Sequence, residues 1–330
     1  MNGRTAGAIA VALAAAQVAV SAGAGQAPAA RDPRWAVIVS GASGGAAYAE
    51  QMARWRREIS DALSGRFGFP AGQIVSLVDE TARASGTAAT AENVRTAFTT
   101  LRGRMGKDDL ALVVLLGHGT YDGDQAKFNL VGPDLTAGEW SVMLGTLPGR
   151  VVVVNTTESS APFIAALAAK DRVVITATDT PAQKYATVFP EYFAKALADT
   201  ATDLDKDGKT SIWEVFAATS GSVARHYSER AQLTTERAVL SDAGEKSGIQ
   251  ATATGPQGLL ARSLYLDRDR AAEAAGPEVQ ALIARRRALE AEAQAHIQKK
   301  PAADGAAWSA EFERLMIELA RVSREIRQRS

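Results

Sequence analysis

The sequence predicts an α/β fold built on a mainly parallel sheet with helices on both faces. Three observations predict it. Val151–Val154 is a run of four valines and Leu110–Leu116 (LALVVLL) a run of seven apolar residues. Short runs without polar alternation suit strands buried on both faces. Each run ends in a polar elbow, Asn155–Ser160 (NTTESS) and Gly117-His118-Gly119, and open α/β sheets place their sites at the carboxyl ends of strands. The strand-like runs also alternate with stretches of helical periodicity, as parallel strands joined by crossovers require.

Taken in order, Trp35–Ser40 (WAVIVS) is the first strand and turns at Gly41-Ala42-Ser43-Gly44-Gly45. Ala46–Arg66 carries Met52, Trp55, Ile59 and Leu63 on one helical face. Gln73–Val78 is a strand, Ala91–Met105 a helix with Val94, Phe98 and Leu101 on one side, and Leu110–Leu116 the third strand. Gln125–Leu130 with the Gly132-Pro133 turn suggests a small antiparallel excursion. Gly138–Leu147 is a helix, Val151–Val154 a strand, Phe163–Ala169 a helix and Arg172–Thr176 a fifth strand. Helices follow at Phe189–Leu197 and Ile212–Ser228, and residues 241–258 read as a surface loop rich in Gly, Ser, Thr and Ala. Beyond Asp267 the composition changes to Ala, Glu, Arg and Leu. Glu278–Gln298 and Trp308–Gln328 form two helices joined at Lys300-Pro301. In the second, Trp308, Phe312, Leu315, Leu319, Val322 and Ile326 make a narrow seam of the coiled-coil or helical-hairpin type.

The chain has 330 residues, 46% of them apolar, and 37 basic side chains balance 37 acidic ones. No overall field therefore argues for nucleic acid. The basic run Arg285-Arg286-Arg287 is followed at once by Glu290 and Glu292 and reads as a solvated helix face. The absence of cysteine excludes disulfides, Cys-ligated zinc and a thiol nucleophile. Residues 1–30 read as a secretory signal: Arg4, an apolar run over Ala8–Val20, then small residues around Ala22-Gly23-Ala24 or Gly25-Gln26-Ala27. No later run is long and apolar enough for a membrane span, so the mature chain is expected to be exported, either periplasmic or secreted. The Gly41 turn has neither G-x-G-x-x-G nor P-loop spacing, and tight turns need glycine for steric reasons alone.

His118, between two glycines at the end of a buried strand, suits a general base near neutral pH; it equally suits a loop histidine bonded to nearby backbone. His226 and His296 read as solvated or helix-terminal histidines, and Asp179 as either a cleft-rim residue or a cap before Pro181.

The order of elements, with LLGHGTYDG and VVVVNTTESS, resembles the legumain–caspase clan of cysteine peptidases, the legumain-like branch in particular. WAVIVSGAS and RVVITATD add to the likeness, which covers about residues 35–240. The resemblance implies a caspase-like three-layer sandwich, with His118 as catalytic His and Gly119 and residue 157 supplying oxyanion-hole amides. It also implies a cysteine at position 157, where this chain has Thr157. An aliphatic hydroxyl is not ionised at neutral pH and needs a strong positioned base, and an internal threonine has no terminal amine to serve. The expectation is a pseudopeptidase that keeps a cleft for a peptide or protein ligand. The alternative is an active endopeptidase or transpeptidase using Thr157, or Ser159, with His118.

Asp203, Asp205, Asp207, Gly208, Lys209 and Glu214 fall at positions 1, 3, 5, 6, 7 and 12 of the EF-hand calcium loop, residues 203–214. The spacing wraps oxygen ligands around a hard cation, Lys209 offering its carbonyl; the other reading is an acidic turn capping the next helix. One loop alone suits a structural Ca2+ rather than a paired sensor. The predicted organisation is thus a leader (1–30), an α/β domain (31–266) that includes the acidic loop, and a helical hairpin (267–330) as a docking or oligomerisation element.

Overall fold

The computed structural model describes residues 32–79, 87–242, 244–253, 257–268, 276–297, 299 and 305–329. The leader at 1–30 and the Lys300-Pro301 joint lie outside them. Strands β1 (Arg34–Ser40), β2 (Ile74–Val78), β3 (Thr87–Ala88), β4 (Leu110–Leu116), β8 (Arg150–Asn155), β9 (Arg172–Thr176) and β10 (Val239–Asp242) make one sheet in the order β10-β9-β8-β4-β1-β2-β3. Every neighbouring pair is parallel except β10 with β9. A small antiparallel sheet of β5 (Gly119–Tyr121), β6 (Ala126–Phe128) and β7 (Leu135–Thr136) is the predicted excursion.

Side-chain alternation divides each central strand between two cores. Ala36, Ile38, Leu112, Val114, Val152, Val154, Val173 and Ile175 point to one face, and Val37, Val39, Ala111, Val113, Val151, Val153 and Val174 to the other. The first face is covered by α1 (Ala46–Asp61), α5 (Phe189–Ala198), α6 (Ile212–Glu229) and the short α7 (Leu259–Ser263). The second is covered by α2 (Ala91–Arg104), α3 (Ala137–Gly145) and α4 (Pro162–Leu167). These are the three layers and the mainly parallel sheet that the sequence resemblance implies.

Helix ends follow local chemistry. Thr90 caps α2 by accepting from the Asn93 amide, and Thr136 with Glu139 forms a capping box on α3. The predicted helix over Ala46–Arg66 is α1 followed by one π-helical turn, Ala62–Arg66. The predicted loop at 241–258 begins with the last residues of β10, which carries only two apolar residues, Val239 and Leu240, before Ser241 and Asp242. Buried Asp242 accepts from the amides of Gly258, Leu260 and Ala261, anchoring the start of α7.

Helices α8 (Pro277–Ile297) and α9 (Ala306–Arg329) run antiparallel: Arg329 meets Glu278 at 3.3 Å, and Trp308 stacks on His296 at 5.0 Å. Leu315, Val322 and Ile326 of the predicted seam are buried against Val279, Ile283, Leu289 and Ala293, and Leu259 of α7 joins the cluster. Within the basic run, Arg285 pairs with Glu318 at 2.6 Å and Arg286 with Glu290 at 3.5 Å. No described helix is long and apolar enough to cross a membrane.

Candidate functional site

Parallel pairing of β4 with β8, Leu115 opposite Asn155, sets the two polar elbows side by side at the carboxyl edge of the sheet. Gly117 adopts φ +148°, open to glycine, and turns the chain so that His118 leaves the sheet. Gly119 lies against the second elbow: a Cβ there would stand 2.5 Å from Thr157 Oγ1 and 2.7 Å from the Glu158 carbonyl oxygen. The glycine after the histidine is therefore a steric requirement of this contact.

The imidazole of His118 turns to Glu158 rather than to Thr157. Its Nδ1 lies 3.0 Å from Glu158 Oε1 and its Nε2 lies 3.2 Å from the Ser43 carbonyl oxygen, while the Tyr48 ring packs edge-on at 4.9 Å. The hydrogen bond and charge of Glu158 raise the His118 pKa above its ordinary value, opposed by burial, with the Ser43 carbonyl adding to the rise. The Ser43 amide in turn donates to Asp79 Oδ2 at 3.0 Å, which fixes the turn that follows β1.

Thr157 is 1% exposed and spends both its donors on its own elbow. Its hydroxyl donates to Asn155 Oδ1 at 2.8 Å, with the Glu158 carbonyl a second acceptor at 3.1 Å, and its amide donates to Asn155 Oδ1 at 3.1 Å. The amide expected to serve an oxyanion hole is thus taken by an Asn two residues back. No hydrogen bond joins His118 to Thr157. Ser159, the other hydroxyl considered, has φ +52°, which costs a non-glycine residue about 1 kcal/mol. Its amide donates to the Gln183 carbonyl at 2.8 Å, and its hydroxyl faces the carbonyls of Pro181 (3.1 Å) and Gln183 (3.2 Å). Ser160 is tied to Thr178 at 3.1 Å, so the elbow after β8 is stitched to the segment after β9. Asp179 caps no turn; its Oδ2 pairs with Arg237 Nε at 2.9 Å, joining the segment after β9 to the one that leads into β10.

Sequence reasoning placed His118 and Thr157 at neighbouring strand ends but missed Glu158, Asn155, Ser43 and Tyr48. Glu158 stood in the quoted elbow, beside the position compared with a cysteine. Its reach back to the imidazole depends on side-chain direction, which spacing does not encode.

In the acidic loop, Asp203, Asp205 and Glu214 bring carboxylate oxygens within 4.8 Å of one another. Asp207 is not in that trio: its Oδ1 accepts from the Lys209 amide at 2.8 Å, and its amide donates to Asp203 and Asp205, both at 3.1 Å. Gly208 makes the sharp turn at φ +84°. Burial raises the Asp207 pKa, the Lys209 amide opposes the rise, and the charges of Asp205, Glu214 and Asp203 add to it. Glu214 also completes a capping box with Ser211 on α6, and its other oxygen accepts from the Leu204 amide at 2.8 Å. Loop closure and helix capping therefore coexist in one carboxylate. The second half of the loop is paired in turn, the Ile212 amide donating to the Leu264 carbonyl at 2.8 Å and the Leu266 amide to the Thr210 carbonyl at 2.9 Å.

Fold and site together define an α/β sandwich with a polar elbow pair at the carboxyl edge of its sheet. No protein-family model matches the chain, and no curated protein matches it. Among solved structures it is similar to protein GSU0716 from Geobacter sulfurreducens, at 14% identity and TM-score 0.42 over 64% of this chain and 94% of that one. It is also similar to caspase-1 from Spodoptera frugiperda, at 10% identity and TM-score 0.41 over 64% of this chain and 87% of that one. At this distance neither carries chemistry over to this chain.

Proposed function

We propose that this chain is a catalytically impaired relative of the legumain-like peptidases, exported by its leader, whose elbow pair binds a peptide or protein without cutting it. The observation that carries the reading is the state of Thr157. Its hydroxyl and its amide are both committed to Asn155 Oδ1, in a side chain 1% exposed. A nucleophile has to be accessible to substrate and activated by a positioned base, and this hydroxyl is buried and donates to Asn155 instead. The test is incubation of the protein with a pooled peptide library, with and without calcium, beside Thr157→Ala. Expected are no turnover by either and retained capture of a peptide subset. Turnover that Thr157→Ala abolishes supports the enzyme reading through Thr157 and His118, and turnover that only Ser159→Ala abolishes assigns it to Ser159.

The same proposal places a structural Ca2+ in the acidic loop, held by Asp203, Asp205 and Glu214, where it supplies charge compensation to three converging carboxylates. A ligand that binds only the native state stabilises it by about 2.7 kcal/mol at a hundredfold excess over Kd. Millimolar calcium is therefore expected to raise Tm by several degrees, and Asp205→Asn, an exposed position, to remove the rise. A Tm indifferent to calcium in the unsubstituted protein refutes the ion. The antiparallel helices α8 and α9 are, in this reading, the docking or oligomerisation element.

A further inference from the structure

We propose that Glu158 is a positioning residue that holds the His118 imidazole as a cation and so withholds the base from any nucleophile at position 157. The inference rests on the impaired-peptidase reading for the meaning of position 157; the contact between His118 and Glu158 stands independently. Two acceptors face the ring, the Glu158 carboxylate at Nδ1 and the Ser43 carbonyl at Nε2. A neutral imidazole carries one N–H and satisfies one of them; an imidazolium donates to both. A ring already protonated cannot take a proton from a hydroxyl or thiol.

The surroundings point the same way. Glu158 is 9% exposed, and its Oε2 is buried without a hydrogen-bond partner. Its other oxygen, Oε1, lies 3.0 Å from His118 Nδ1, and a buried carboxylate left uncompensated is costly. The other groups against the ring are the Ser43 carbonyl, held by Asp79 through the Ser43 amide, and the edge-on Tyr48 ring of α1. One residue thereby separates the two partners of the chemistry that the resemblance implies. The Glu158 carbonyl is an acceptor for the Thr157 hydroxyl, and the Glu158 carboxylate engages the His118 ring. Restoring a thiol at position 157 is then insufficient to rebuild a catalytic pair; Glu158 must be neutralised as well.

The raised His118 pKa agrees with this arrangement. The native state holds the extra proton, so the stability linked to the pair is complete below the ordinary histidine value of about 6.5 and is lost as pH rises through the raised midpoint.

The chain has three histidines, His118, His226 and His296, so nitrogen-15 NMR of the ring nitrogens resolves the question in the intact protein. His118→Ala identifies the signal. The expected result is an imidazolium pattern, both nitrogens protonated, for His118 at neutral pH in the unsubstituted protein, and a titration midpoint that falls in Glu158→Gln. A neutral His118 at neutral pH, including the case in which Glu158 carries the proton, overturns the proposal even if Glu158→Gln fails to fold. In a second arm, iodoacetamide alkylates the thiol of Thr157→Cys with and without Glu158→Gln. Where the freed imidazole takes the thiol proton, lowering a thiol pKa from about 8.5 by one unit raises the thiolate fraction at pH 7 about eightfold, and a second unit adds only about threefold. The double variant is expected to react faster at pH 7 than the single one; equal rates overturn the lock. Peptide turnover by the unsubstituted protein would instead refute the binding reading, so the two failures are distinguishable.

Discussion

Arg34→Ala is expected to destabilise the protein by about 3–5 kcal/mol, lowering the denaturant midpoint without changing the slope of the transition. Arg34 opens β1 and is 4% exposed, and Asp32 beside it is 7% exposed. The guanidinium makes a two-pronged pair with Asp32, Nε to Oδ1 at 2.9 Å and Nη2 to Oδ2 at 2.6 Å. Its Nη1 donates to the carbonyls of Phe67 (2.8 Å) and Leu266 (2.6 Å), and the cation lies 4.7 Å over the Phe69 ring. Truncation therefore strands a buried carboxylate and several carbonyls at once, and a buried acceptor without a donor costs about 1–3 kcal/mol. The Leu266 bond gives the residue reach: it ties the first strand to the segment that pairs with the acidic loop and then leads toward α8. Arg34→Lys keeps the charge but not the fork and is expected to recover only part of the loss. A midpoint unmoved by Arg34→Ala would show that this network contributes no net stability.

The fold was legible because buried parallel strands are written as unbroken apolar runs. LALVVLL and VVVV fixed the centre of the sheet, and WAVIVS and RVVIT its neighbours. What escaped was β10, where two apolar residues next to Ser241 and Asp242 leave no periodicity to read. Antiparallel pairing with β9 supplies its hydrogen bonds, and that depends on the chain returning from α6 to the sheet edge. At the site, the sequence located the elbows because glycines and polar residues end abruptly after apolar runs. It did not locate the partners. The hydroxyl of Thr157 turns to Asn155 and the ring of His118 to Glu158, choices made by rotamers and by the close approach of Gly119. The acidic loop was the opposite case. Its ligand spacing is local, so three of the expected carboxylates converge, and only Asp207, drawn to the Lys209 amide, stands apart.

Trp140→Ala is expected to cost about 3–5 kcal/mol, and its effect should reach the His118 elbow although the indole lies in the core beneath it. Trp140 is fully buried on α3 and meets Phe98 and Phe128 edge-on, with centroids 5.7 Å and 6.0 Å away. Such pairs contribute about 0.5–1.5 kcal/mol beyond the area they bury. Phe128 in turn floors the site: a Cβ added at Gly41 would stand 3.0 Å from its ring, and one added at Gly117 3.6 Å from it. Gly41 and Gly117 flank the two turns that deliver the Ser43 carbonyl and the His118 ring to each other, and the Gly41 amide donates to the Leu116 carbonyl at 2.9 Å. Emptying the space behind Phe128 lets that ring move and loosens both turns. The indole Nε1 is buried without a partner, so Trp140→Phe removes an unsatisfied donor as well as volume and should cost clearly less than Trp140→Ala. The measurement is paired: the unfolding free energy of each variant, and the ring-nitrogen signals of His118 in the folded Trp140→Phe protein. Coupling between core and site requires the His118 signals to shift in Trp140→Phe; unchanged signals would mean that the turns hold the ring without help from the aromatic cluster.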